Sequence, residues 1–145
     1  MAKKILLLGM LVTSLAFGFK SAACDELASD DSSHGSYTIE FKVEYFNGFI
    51  NSGAITQIEF INGSSSGSPV LATETVNLVS RDLSNVYRVS GFSNKEGDGR
   101  IFGVRVTLKS GKTHFDWSTA AEDGAKVKVR FSGPLWVMQF SGGNW

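Results

Sequence analysis

Residues 37–45, YTIEFKVEY, alternate apolar and polar without a break. Tyr37, Ile39, Phe41, Val43 and Tyr45 point one way; Thr38, Glu40, Lys42 and Glu44 point the other. A helix cannot present this pattern as one apolar face, because its neighbours on a face recur every three to four residues. One apolar and one wet face is the mark of an antiparallel strand laid on a core. Seven further stretches read as strands: 54–61, 73–79, 85–92, 100–109, 112–117, 126–131 and 135–140. Turn residues separate them, among them Asn47-Gly48, the Gly/Ser loop 62–69, the run NKEGDG at 94–99, Ser110-Gly111 and Gly133-Pro134. Such short connections leave no room for crossover helices, and only Ser118 to Gly124 has space for a helical turn. The expectation is an all-β chain, a single antiparallel β-sandwich of about eight strands.

Before that domain stands an address. Lys3 and Lys4 precede the apolar run Ile5–Phe19, and Ser21-Ala22-Ala23 supplies small residues for a peptidase. This is the pattern of a secretory signal peptide over residues 1–23. The run is too short for a span, which needs about 20 apolar residues. The single Cys of the chain, Cys24, follows at once. Its place resembles that of the lipidated Cys of bacterial lipoproteins, although Ser21 stands where that signal usually has Leu. A lone thiol left free in an oxidising compartment invites cross-links, and lipidation removes it. Residues 24–35 then read as an acidic, flexible tether carrying Asp25, Glu26, Asp30 and Asp31, with His34 near its end. The β-domain is 36–145. The expected location is exported: periplasmic, membrane-anchored or at the cell surface.

Charge narrows the partners. Loss of residues 1–23 removes Lys3, Lys4 and Lys20 and leaves 11 basic against 14 acidic residues. Within the domain, residues 81–145 hold ten basic and six acidic residues. That balance is too mild for nucleic acid, and none is expected as a partner. Lys126, Lys128 and Arg130 form a basic row on one strand face. Such a row reads either as a solvated face that discourages edge pairing or as a contact for phosphates or an acidic partner. Trp145, the last residue after Ser-Gly-Gly-Asn, either docks on the domain or binds a sugar or a membrane interface. Lys126, Lys128, Arg130 and Trp145 are therefore the candidate ligand- or membrane-binding residues.

Catalytic signals are thin. His114 and Asp116 stand two apart on a strand and share a face. Phe115 and Trp117 occupy the other face and read as core, which turns His114 to solvent. Trp136 alternates with Met138 and Phe140 and also reads as core. No nucleophile motif accompanies the His–Asp pair. Glu40 and Glu44 lie about 13 Å apart along a strand, beyond the ~5–9.5 Å of a glycosidase pair. Asn94, Glu96 and Asp98 place oxygen donors at alternate positions, the beginning of a calcium loop. The twelfth position, where an EF-hand needs Glu, is Arg105. No metal and no cofactor is expected, and the chain is not expected to be an enzyme.

GKTHFDWS at 111–118 together with LWVMQFSGGN at 135–144 resembles the C-terminal part of the aegerolysins. The similar stretch is roughly Ser90 to Asn144. The family's Trp is followed by Asp, Cys and Pro, whereas Trp117 is followed by Ser118, Thr119 and Ala120. The resemblance implies a small β-sandwich that binds membrane lipids, some members acting as half of a pore-forming pair. Three functional expectations follow. The first is an exported, lipid-anchored, non-catalytic binding or structural module of the bacterial cell envelope, with a protein, glycan or lipid as its ligand. The second is a secreted, toxin-like membrane-lipid-binding protein. The third is a small hydrolase resting on His114 and Asp116.

Overall fold

The alternation of the first strand is carried into three dimensions without a slip. In the computed structural model, which describes residues 35–47 and 53–145, Ile39, Phe41, Val43 and Tyr45 are fully buried. The expected signal peptide, Cys24 and the expected tether with His34, apart from Gly35, lie outside the described residues. Among those described there are nine strands and no helix. They are β1 (Tyr37–Asn47), β2 (Ile55–Ile61), β3 (Val70–Leu78), β4 (Leu83–Phe92), β5 (Lys95–Glu96), β6 (Gly99–Leu108), β7 (Thr113–Ala120), β8 (Lys126–Gly133) and β9 (Val137–Gly142).

The strands form two sheets packed face to face, the β-sandwich expected from the sequence. One sheet has the order β9-β8-β1-β4; the other runs β3-β2-β6-β5, and β7 also pairs with β6. Every pairing is antiparallel except one. β1 and β8 run parallel, from Glu40 opposite Lys126 to Asn47 opposite Gly133. Parallel neighbours need a long connection between them, and here the chain traverses the whole second sheet between β1 and β8. The core lies between the sheets. Phe41 stacks on Phe60 with ring centroids 4.5 Å apart and meets Phe102 edge-on at 5.3 Å. Each such buried aromatic contributes roughly 1.5–3 kcal/mol by leaving water.

Two local expectations are corrected. The stretch read as room for a helical turn is taken up by β7, which continues to Ala120 before residues 121–125 turn the chain. The turn-rich 94–99 run includes the two-residue β5.

A third correction bears on function. β7 faces the opposite way from the sequence reading. The β6–β7 hairpin sets His114 opposite Val106 and Asp116 opposite Val104, both core residues of β6. His114 therefore points between the sheets, not to solvent. Phe115 and Trp117 lie on the outer face, and Trp117 is 42% exposed. Phe115 has a reason to be there: a Cβ built at Gly103 would overlap its ring, so the missing side chain of Gly103 makes room for it. An apolar residue on a wet face is thus accommodated by a glycine on the neighbouring strand.

Candidate functional site

Alternation along β1 and β8 leaves the non-core residues on the outer face of the four-stranded sheet. Parallel pairing then sets Lys42 beside Lys128, Glu44 beside Arg130 and Phe46 beside Ser132. The charges are partly matched. Lys128 Nζ lies 3.7 Å from Glu44 Oε1, and Arg88 donates to Glu40 Oε2 at 3.0 Å. The Arg130 guanidinium covers the Phe46 ring at 4.7 Å from its centroid. Surface pairs of this kind contribute about 0–1 kcal/mol each, so they order the face more than they stabilise the fold. No described carboxylate pairs with Lys42 or Lys126. This face therefore has cation to spare.

The C-terminus adds an aromatic wall. The Gly143 N–H donates to Lys126 O at 2.8 Å, which pins the segment after β9 to the start of β8. Trp145 then folds back over Gly143: a Cβ built at Gly143 would overlap the indole. Only glycine allows that approach. The result is a groove of about 400 Å³ lined by Lys42, Leu83, Lys128, Ser141, Gly142, Asn144 and Trp145. A second depression of about 340 Å³, lined by Glu44, Lys128, Arg130 and Gln139, shares Lys128 and Ser141 with it.

The basic row Lys126, Lys128 and Arg130 and the terminal Trp145 thus meet on one face. The Trp145 ring lies against Gly143 and stays partly exposed. Sequence reasoning missed Lys42 and Leu83. Lys42 was visible as a wet-face residue of the first strand, but only the parallel β1–β8 pair, which alternation does not reveal, brings it to Lys128.

The other candidates end elsewhere. The His114 ring packs on Phe131 at 5.2 Å and on Trp136 at 5.5 Å, and its Nε2 is buried with no hydrogen-bond partner. Burial pulls the imidazole below its ordinary pKa, and the nearby Lys112 charge adds to the effect. Asp116 is engaged locally, its Oδ1 accepting from the Trp117 N–H at 2.8 Å. The two side chains share a face but form no hydrogen-bonded dyad. Trp136 packs on Phe131 at 5.4 Å and is only partly buried, from a turn where its φ is +56°. Near the calcium-loop residues, the Asn94 amide donates to Asn62 O at 2.8 Å, and Glu96 and Asp98 are exposed. No group of three or more His, Cys, Asp or Glu side chains gathers among the described residues.

No family model matches this sequence, and no curated protein matches it. Among solved structures, one similar chain is an (S)-allantoin synthase, with a TM-score of 0.42 and 10% identity over 74% of this chain. The chain spans 44% of that protein's length.

Proposed function

We propose that this chain is an exported, non-catalytic binding module, held at the cell envelope by a lipid on Cys24, whose four-stranded sheet takes an acidic glycan in the Trp145 groove. One observation carries the reading: Gly143 lets Trp145 fold back beside Lys42 and Lys128. An indole offers an apolar plate with a polar edge, suited to the flat face of a sugar ring. Two ammonium groups beside it offer charge-assisted donors to a carboxylate. Ser141 and Asn144 supply the short hydrogen-bonding groups that a hydroxyl-rich ligand needs. Pairing an aromatic with two ammonium groups, of which Lys128 is shared with Glu44 and Lys42 has no described carboxylate beside it, favours an anionic sugar over a neutral one.

The test is calorimetric titration of the chain carrying Cys24→Ser with short carboxylated and neutral oligosaccharides. Saturable heat with the carboxylated probe is expected. It should disappear in Trp145→Ala and weaken at least tenfold in Lys42→Ala/Lys128→Ala, a loss of about 1.4 kcal/mol or more. Equal binding of the neutral probe, or no effect of Trp145→Ala, overturns the groove as the site. The anchor is checked separately by the mass of the chain recovered from membranes, which should include a diacylglyceryl group on Cys24.

A further inference from the structure

We propose that one end of the sandwich, where the turns 79–82, 109–112 and 133–136 meet, docks onto the surface of an anionic lipid bilayer. Hydrogen bonds and packing bring these turns together at the end where β1 finishes. Ser80 Oγ donates to Asn47 O at 2.6 Å, and Arg81 N donates to Tyr45 O at 2.6 Å. Gly133 pairs with Asn47, and Tyr45 Oη donates to Gly53 O at 2.8 Å, with Gly53 packed on Lys109. His114, which follows the 109–112 turn, packs on Trp136.

The exposed apolar side chains concentrate here. Leu135 is 83% exposed, Leu83 51%, Val79 50% and Val137 46%. Isolated exposed apolar residues need no explanation, but four at one end make a patch that marks an interaction site. Two of them, Val79 and Leu135, sit in the turns and not in a sheet.

Charge identifies the partner. The same turns carry Arg81, Lys109 and Lys112 against one described carboxylate, Asp82, which already accepts from the Val79 N–H at 3.0 Å. Arg81 and Arg130 both lie on the Phe46 ring, at 5.2 and 4.7 Å. At the opposite end, the turns 94–98 and 121–125 hold Glu96, Asp98, Glu122 and Asp123 against Lys95. Those turns are tied to the start of β1 by Tyr37 Oη donating to Asp98 O and Thr38 N donating to Asp123 Oδ1. The domain is therefore polarised along β1. Apolar tips ringed by cations match a bilayer with negative headgroups, the cations lying at the phosphates and the apolar side chains below them. The cations sit on two of the three turns, Arg81 on 79–82 and Lys109 and Lys112 on 109–112, beside the apolar Leu135 of the third, and that spread suits an extended anionic surface better than a single acidic peptide. Leu83 also walls the Trp145 groove, so the test rests on Leu135, which that groove does not include.

The experiment exploits the single cysteine. In the Cys24→Ser chain, a polarity-sensitive fluorophore is placed at Ser110→Cys in the proposed docking end, or at Glu122→Cys in the acidic end. Each is mixed with vesicles of phosphatidylcholine alone or with added phosphatidylglycerol. The probe at 110 should brighten at least threefold and shift to the blue on anionic vesicles only, and the probe at 122 should stay aqueous. Adding Leu135→Asp to the 110-labelled chain should reduce the response at least fivefold. Equal responses at 110 and 122, a response that ignores the anionic lipid, or indifference to Leu135→Asp overturns the proposal.

Discussion

The His114 imidazole has its Nε2 buried against Phe131 and Trp136 with no hydrogen-bond partner. An unmade hydrogen bond at a buried nitrogen costs about 1–3 kcal/mol. A phenyl ring of similar shape would stack on the same two aromatics without that cost. His114→Phe should therefore keep the fold and raise stability by about 1 kcal/mol, or about 4 °C in Tm. Its pH dependence should change as well. Burial, aided by the Lys112 charge, puts the folded imidazole below its ordinary value of 6.5. The unfolded chain then binds the proton more readily as pH falls, so the unfolded state gains. Stability is complete above about pH 6.5 and is lost as pH drops through that value toward the folded one. Thermal melts at pH 7.5 and 5.5 should show a larger loss in the parent chain than in His114→Phe. Parallel slopes would mean the imidazole is not what couples folding to protons.

The β6–β7 hairpin shows which elements were legible and which were not. β1, β6 and β8 alternate cleanly, and their inward residues, such as Phe41, Val104 and Phe131, are the core of the structure. β7 does not alternate cleanly: His114 and Asp116 face in, and Phe115 and Trp117 face out. Hydrophobicity alone misassigns that strand. The deciding information was non-local. The tight turn at Ser110-Gly111, with Gly111 at φ +93°, sets the register, and Val104 and Val106 across the ladder then dictate which face is inside. The vacancy above Gly103 keeps Phe115 outside. A methyl group at 103 would have to displace that ring, and overpacking of this kind costs about 1–3 kcal/mol. Gly103→Ala should lower the urea midpoint in the parent chain and lower it less in a Phe115→Ala background, where the close approach to Gly63 O remains. Additive penalties would show that the two positions are not coupled and that Phe115 faces outward for another reason.

At the scale of the whole molecule, the pairing that mattered most was hidden in the sequence. Lys42 and Lys128 are neighbours only because β1 and β8 run parallel across a long chain separation. That order follows from how two sheets close around one core, not from any local run of residues. The same closure gathers the turns of one end and separates them from the acidic turns of the other. The two proposed contacts therefore draw differently on charge. In the Trp145 groove, ionic attraction acts at a partly exposed surface beside a single ring, and the Debye length shrinks from about 10 Å at 0.1 M salt to about 3 Å at 1 M. Affinity for a carboxylated oligosaccharide should fall at least tenfold over that range. At the bilayer end, cations promote the approach, but Leu135 and its neighbours leave water, and that burial at roughly 25 cal/mol per Å² is not screened by salt. Binding to anionic vesicles should decline and then level off at a residual affinity that Leu135→Asp removes. Co-sedimentation across the salt series distinguishes the outcomes: a decline to zero would mean that the apolar tips never enter the membrane and that attraction at this end is purely ionic.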